Sequence, residues 1–197
     1  MDFEFLVETY DTERLKILSV WSQIRAEDLT LRLEPRARTP LEQMIHQCVS
    51  EQGWMTKMLG IQTAIPVLPE EETKLGFIRH YAQVSGERLK ILSNKPADWY
   101  REEVAFFDVP RSRAWVLVRR IAHSAHHRGQ LTMFIRGRGQ NLYSTYGPSA
   151  DTGGLPANQA RVVYRYPTIE ALITAEEEGG EWPPLPGGGA LPVTERP

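Results

Sequence analysis

One segment constrains the fold more than any other. From Ser112 to about Arg138 the apolar positions recur at helical spacing for roughly 27 residues, about 40 Å of helix, and Gly129 is the only interruption. A helix of that length needs long neighbours to cover its apolar stripe. The same periodicity predicts three. Asp2 to about Ile24 carries Phe3, Leu6, Tyr10, Ile17, Leu18 and Trp21 and contains neither Pro nor Gly. A second helix starts at Thr39-Pro40-Leu41-Glu42, a capping box with proline at the first helical position. It runs to about Leu59, where Gly60 and the Pro66–Pro69 stretch stop it. The third spans roughly Glu71 to Leu92, turns Leu75, Ile78, Tyr81, Ala82, Leu89 and Leu92 inward, and ends at Asn94-Lys95-Pro96.

The connections between these helices run to about ten to seventeen residues, longer than the turns that join simple up-and-down neighbours. The expected fold is therefore all-α: a four-helix bundle with long crossover connections. A short extra C-terminal helix, Thr168 to about Glu178, is capped by Thr168. Residues 95–111 read as a short hairpin or a packed loop, and Asn141 to Tyr166 as loop. One domain is expected over residues 1–178, with no internal repeat. Residues 179–197 are largely Gly and Pro and are expected to be disordered.

Composition narrows the function. Hydrophobic residues at 41% and charged residues at 24% are globular values. No stretch approaches the roughly 18 to 20 apolar residues of a membrane span. The start, Met1-Asp2-Phe3-Glu4-Phe5, is acidic and unlike a signal peptide. The single cysteine, Cys48, excludes an intramolecular disulfide and suits a reducing cytoplasm. A net charge of −2 gives no general attraction to nucleic acid, and Arg136-Gly137-Arg138 reads as a solvated helix end.

The chemistry lies in Ile121-Ala122-His123-Ser124-Ala125-His126-His127-Arg128-Gly129-Gln130. His123 and His127 are four apart, so on a helix their rings leave one face and can share an ion. Val116 and Phe134, seven before and seven after, put that pair on an apolar stripe. Unpartnered imidazoles there would each cost on the order of 1–3 kcal/mol, so they need either a metal or hydrogen-bond partners. Ser124 occupies the place of the glutamate in a His-Glu-x-x-His protease motif, which excludes that chemistry. A third ligand must come from another helix. His46 sits at the shoulder of a stripe formed by Leu41, Ile45, Val49 and Leu59, with Gly53 leaving space beside it. Cys48 is about 200° round the same helix and reads as a core thiol. His126, about 100° from His127, and His80 have no partner at ligand spacing.

These residues carry a resemblance. Leu41-Glu42-Gln43-Met44-Ile45-His46 with Glu51 and Trp54, then His123-x-x-x-His127-Arg128-Gly129-Gln130, then Tyr146-Gly147-Pro148-Ser149-Ala150-Asp151 resemble the DinB-like superfamily over roughly residues 1–155. That group includes the YfiT-type proteins and the bacillithiol S-transferases. The resemblance implies one divalent metal held by one residue of the second helix and two of the fourth, positions that match His46, His123 and His127. Three histidines are the set the bacillithiol transferases use.

Three imidazoles leave a fourth position open, as in catalytic zinc sites. Zinc is the first expectation; nickel, manganese and iron are the others. A bound water would fall toward pKa 7, and a bound thiol would lose its proton. The expected function is transfer of a low-molecular-weight thiol, bacillithiol-like, onto a small electrophile. Arg119, Arg120 and Gln130 lie near the site face and are candidates to orient an anionic thiol. Two alternatives stay open: a hydrolase or isomerase on the same scaffold, and a non-enzymatic metal-binding protein of stress or DNA-damage responses. A pocket closed over the metal by the Tyr143–Asp151 loop would favour an enzyme. Expected partners are small molecules rather than nucleic acid or membrane, and a homodimer is carried beside a monomer.

Overall fold

The computed structural model describes residues 3–187 and Thr194. Its helices are α1 (Glu4–Ser22), α2 (Pro40–Lys57), α3 (Lys74–Ser93), α4 (Ala97–Arg101), α5 (Arg113–Gly137) and α6 (Ile169–Glu178). A hairpin of β1 (Glu103–Phe106) and β2 (Val109–Ser112) lies between α4 and α5, and single 3-10 turns occupy Ala26–Asp28, Ala150–Thr152 and Pro156–Asn158. The fold is all-α in character. α1 packs on α3 and α5, α2 lies mainly on α5, and α6 closes over α1 and α3.

The long helices begin where side chains satisfy their free N–H groups. At α2, Thr39 Oγ1 accepts from the Glu42 N–H at 3.2 Å and the Thr39 N–H donates to Glu42 Oε2 at 2.8 Å. Ser112 caps α5 and Thr168 caps α6 in the same sense. α3 starts three residues later than the sequence predicts, because Thr73 accepts from the Gly76 N–H and sets the boundary. Gly60, at φ +68°, takes the left-handed conformation that ends the second helical region.

Two apolar clusters fill the bundle. One gathers Leu18, Trp21, Ile24, Met44, Phe77, Tyr81, Ile135 and Leu172. The other gathers Leu6, Tyr10, Met55, Leu59, Leu92, Tyr100, Val116 and Leu117. Each large aliphatic side chain contributes about 1.5–3 kcal/mol when fully buried.

Of the two readings of residues 95–111 the hairpin holds, with a short helix added, and two other expectations are corrected. Residues 95–111 hold a five-residue helix as well as a hairpin; the register Phe106↔Val109 leaves Phe107-Asp108 as a two-residue turn, with Phe107 at φ +56°. Val49 is exposed rather than on the apolar stripe. The Arg136-Gly137-Arg138 end is not merely solvated: Arg136 pairs with Asp151 and Arg138 with the buried Asp28, each at 2.9 Å. Residues 179–187, the described part of the Gly/Pro-rich tail, make specific contacts. Trp182 lies edge-on to Tyr166 at 4.9 Å under the Arg165 guanidinium, and Tyr143 Oη donates to the Pro183 carbonyl at 2.8 Å. An aromatic edge contact and a cation over the ring each favour this placement of the indole. The rest of the tail, Thr194 apart, lies outside the described residues.

Candidate metal centre

α2 and α5 face each other, and the centre forms where their histidines meet. His127 Nε2 lies 3.0 Å from His46 Nε2 and 3.2 Å from His123 Nε2. One ligand atom from each of the three residues falls within 4.8 Å of the others, and this is the cluster the described residues bring together. Val116 is fully buried and Phe134 nearly so, so the stripe that carries the pair is indeed the inner face of α5. His126 is exposed, and His80 points elsewhere, with Nε2 3.2 Å from the Val67 carbonyl.

The rings are held by their other nitrogens. His127 Nδ1–H donates to Gln130 Oε1 at 3.0 Å, and that oxygen also accepts from Gln43 Nε2 at 2.7 Å. The pattern leaves the Nε2 lone pair of His127 facing its two neighbours. His123 is held differently. Arg120 donates to its Nδ1 at 3.1 Å, to Ser50 Oγ at 3.0 Å and to Glu51 Oε2 at 3.3 Å. With Nδ1 accepting, the neutral His123 ring carries its proton on Nε2 and points it at His127. The face of Trp54 stacks on His123 at 5.6 Å.

Burial is the largest cause that pushes the His46 ring down to about 4, and Arg38 and His127 add to it. His123 also falls to about 4, by burial first and then the charge of Arg120. His127 is lowered as well, again by burial, against the Gln130 hydrogen bond that raises it. These folded values lie below the ordinary histidine value of about 6.5. The sign follows: the unfolded chain takes up protons that the folded rings refuse. Histidine-linked stability is therefore complete above about pH 6.5 and declines as pH falls from 6.5 toward 4. An NMR titration of the metal-free protein should find His46 and His123 neutral at about pH 5.5. A midpoint near 6.5 for either ring would contradict this account.

The donor set fits a divalent ion. Neutral imidazoles offer lone pairs without competing protons, and separations of 3.0 and 3.2 Å approach the roughly 3.3 Å edge of a tetrahedron with metal–nitrogen bonds of about 2.0–2.1 Å. Arg120 is the one element of tension. A His123 ring that ligates through Nε2 carries its proton on Nδ1, so Arg120 has to turn toward Ser50 and Glu51, which already hold it.

Other sequence candidates are placed differently. Arg120 is buried in an ion pair with Glu51, with its guanidinium on His123 Nδ1. Arg119 is exposed on the outer side of α5. Gln130 sits at the site, as an orienting partner of His127. Cys48 is buried, and its thiol is pushed up to about 12 by burial first and by Glu51 second, which disfavours a thiolate. No hydrogen bond or ring contact among the described residues links the Tyr143–Asp151 loop to the three histidines. Tyr146 instead donates to Glu13 Oε2 at 2.9 Å and receives Arg128 and Lys16 over its ring.

Glu51 is the residue whose role the sequence reading missed. It is buried, accepts from Tyr10 Oη at 2.6 Å and Tyr81 Oη at 2.9 Å, and pairs with Arg88 at 3.1 Å and Arg120 at 3.3 Å. Its spacing from Met44, Cys48 and Met55 places it on the buried side of α2, a signal available in the sequence.

Comparison with known proteins agrees with this architecture. The model of the DinB family matches residues 4–157. A crystal structure of a DinB-like protein from Bacillus cereus ATCC 10987 at 2.01 Å resolution superposes with a TM-score of 0.64 at 18% identity, covering 73% of this chain and 97% of that one. At that identity the likeness speaks for the fold. No curated protein matches. Among the described residues no helix is long and apolar enough to cross a membrane.

Proposed function

The chain belongs to the DinB family, and from that premise we propose that it binds one divalent cation, zinc first, at His46, His123 and His127 and uses it to transfer a low-molecular-weight thiol. The carrying observation is the convergence of three neutral imidazoles with no carboxylate among them. Three protein ligands suit a catalytic rather than a closed structural site. When bound, the ion would supply Lewis acidity that favours the thiolate over the thiol. The chain's own residues orient the donors: Gln43 and Gln130 hold His127, and Trp54 stacks on His123, while Ser50 and Glu51 keep Arg120 beside that ring when its Nδ1 carries the proton. In the transfer the thiol proton goes to solvent, a sulfur–carbon bond forms on the electrophile, and its leaving group departs with the bonding pair.

The hydrolase reading is weaker on one ground. A metal-bound water is best served by a nearby general base, and the buried carboxylate closest in the network, Glu51, is committed to two tyrosines and two arginines. The test is metal analysis of the purified protein, followed by a conjugation assay with several cellular thiols and a model electrophile. Close to one ion per chain and metal-dependent loss of free thiol are expected. A protein that cannot be loaded with zinc, nickel or manganese defeats the metal centre. One that loads but conjugates no thiol defeats the transferase.

A further inference from the structure

Beside the histidines, a cleft of about 500 Å³ opens between the 29–38 connection and the second half of α5. Its volume lies in the range that holds a small organic ligand. Leu33, Met133 and Phe134 give it an apolar side, Arg36 and Arg38 a cationic one, and Gln43 and Gln130 the wall shared with the metal centre. Arg36 is tied to Glu34 at 2.9 Å and Arg32 to Glu42 at 2.6 Å. Arg38 has no hydrogen-bond or ion-pair partner among the described residues. The Gln43 Oε1 atom is buried in a side chain only 6% exposed, and it too lacks a hydrogen-bond partner there. A guanidinium left free and an acceptor left unpaired, both lining one half-apolar cleft, describe a place for a ligand rather than packed structure.

We propose that this cleft is a binding site for a small organic anion with an apolar portion, whose acid group pairs with Arg38 and whose body lies against Leu33 and Met133. An N–H or O–H on such a molecule would meet the Gln43 oxygen. Gln130 both lines the cleft and accepts from His127, so an occupant lies next to the metal ligands. Calling the anion a substrate rests on the proposed transferase; its binding does not. Arg38 thereby takes the anion-orienting part that the sequence assigned to Arg119 and Arg120.

The probe is 8-anilinonaphthalene-1-sulfonate, an anion with an apolar body and an N–H, titrated by fluorescence into the zinc-loaded full chain. Its comparator is N-phenyl-1-naphthylamine, which lacks the sulfonate. The expected result is one sulfonate-dependent site in the wild type, weakened at least tenfold by Arg38→Gln, with the comparator unaffected by that change. Arg38 is exposed and unpartnered, so the variant should fold and bind zinc with wild-type stoichiometry. Met133→Glu, at a side chain 67% exposed, should weaken the sulfonate probe as well. Equal binding of the probe by wild type and Arg38→Gln, or equal wild-type affinity for probe and comparator, overturns the proposal. A chain that shows the Arg38 contrast yet holds no metal keeps the anion site and loses the metal reading.

Discussion

Exchanging His127 for glutamine should abolish the response of the unfolding midpoint to zinc. The wild type, if its three rings share an ion, gains stability as RT ln(1 + [L]/Kd), about 2.7 kcal/mol at a hundredfold excess of free metal over Kd. His127 is the middle of the cluster, with His46 on one side at 3.0 Å and His123 on the other at 3.2 Å. Its loss removes one of three donors, and a two-imidazole remnant should bind metal orders of magnitude more weakly. The control is His126→Gln, which changes an exposed ring next along the helix. Thermal unfolding of all three proteins with and without zinc reads the effect. Wild type and His126→Gln should shift upward together while His127→Gln stays put. Equal shifts in wild type and His127→Gln would refute the site.

The largest change in stability without metal should come from Glu51→Gln. Glu51 is the anion that two buried arginines share. Its removal leaves Arg88 and Arg120 charged in the interior, and breaking such an arrangement costs about 3–5 kcal/mol. Burial alone would raise the Glu51 carboxyl, but Arg120, Arg88 and the Tyr10 and Tyr81 hydroxyls outweigh it, and the net shift is downward. A depressed acid supports the fold above its unfolded pKa and loses that support as pH falls through the folded one. Wild type and variant should therefore differ most near neutrality and converge in acid. Denaturant titration at pH 7 and pH 3 measures both. A loss below about 1 kcal/mol at pH 7 would show that the arginines find other partners.

Much of this was readable from the chain because it is local. The Thr39, Ser112 and Thr168 caps, the proline at α2 and the four-residue spacing of His123 and His127 depend on neighbours within a turn or so. His46 was harder: its partners lie 77 and 81 positions away, and the family resemblance was what pointed to it. Of the buried arginines, Arg120 reads from the sequence as an anion-orienting candidate, Arg128 only as part of the family motif, and Arg88 as nothing in particular. A guanidinium enters the interior only when a distant carboxylate meets it, here Glu51 or Glu13. The Arg38 cleft was illegible for the opposite reason. Its first wall is a connection without periodicity, and its second mixes the exposed Gln130 and Met133 with the buried Leu131 and Phe134 of α5, so helical periodicity announces only part of it.

The span between His46 and His127 also matters to how such a site can vary. Treated as a polymer, α3, α4 and the hairpin form one loop pinned at its two ends by the histidines, 81 residues long. Loop-closure entropy grows only with the logarithm of length, about 0.6 kcal/mol per doubling. Extending a ten-residue loop to eighty is three doublings, so about 1.8 kcal/mol. The crossover connections can thus lengthen or shorten by several residues while the two ligand helices meet at almost the same free energy. The connections between α2 and α5 are free to change length around the pair, while the buried partners of Glu51 on α3 and α5 stay where they are.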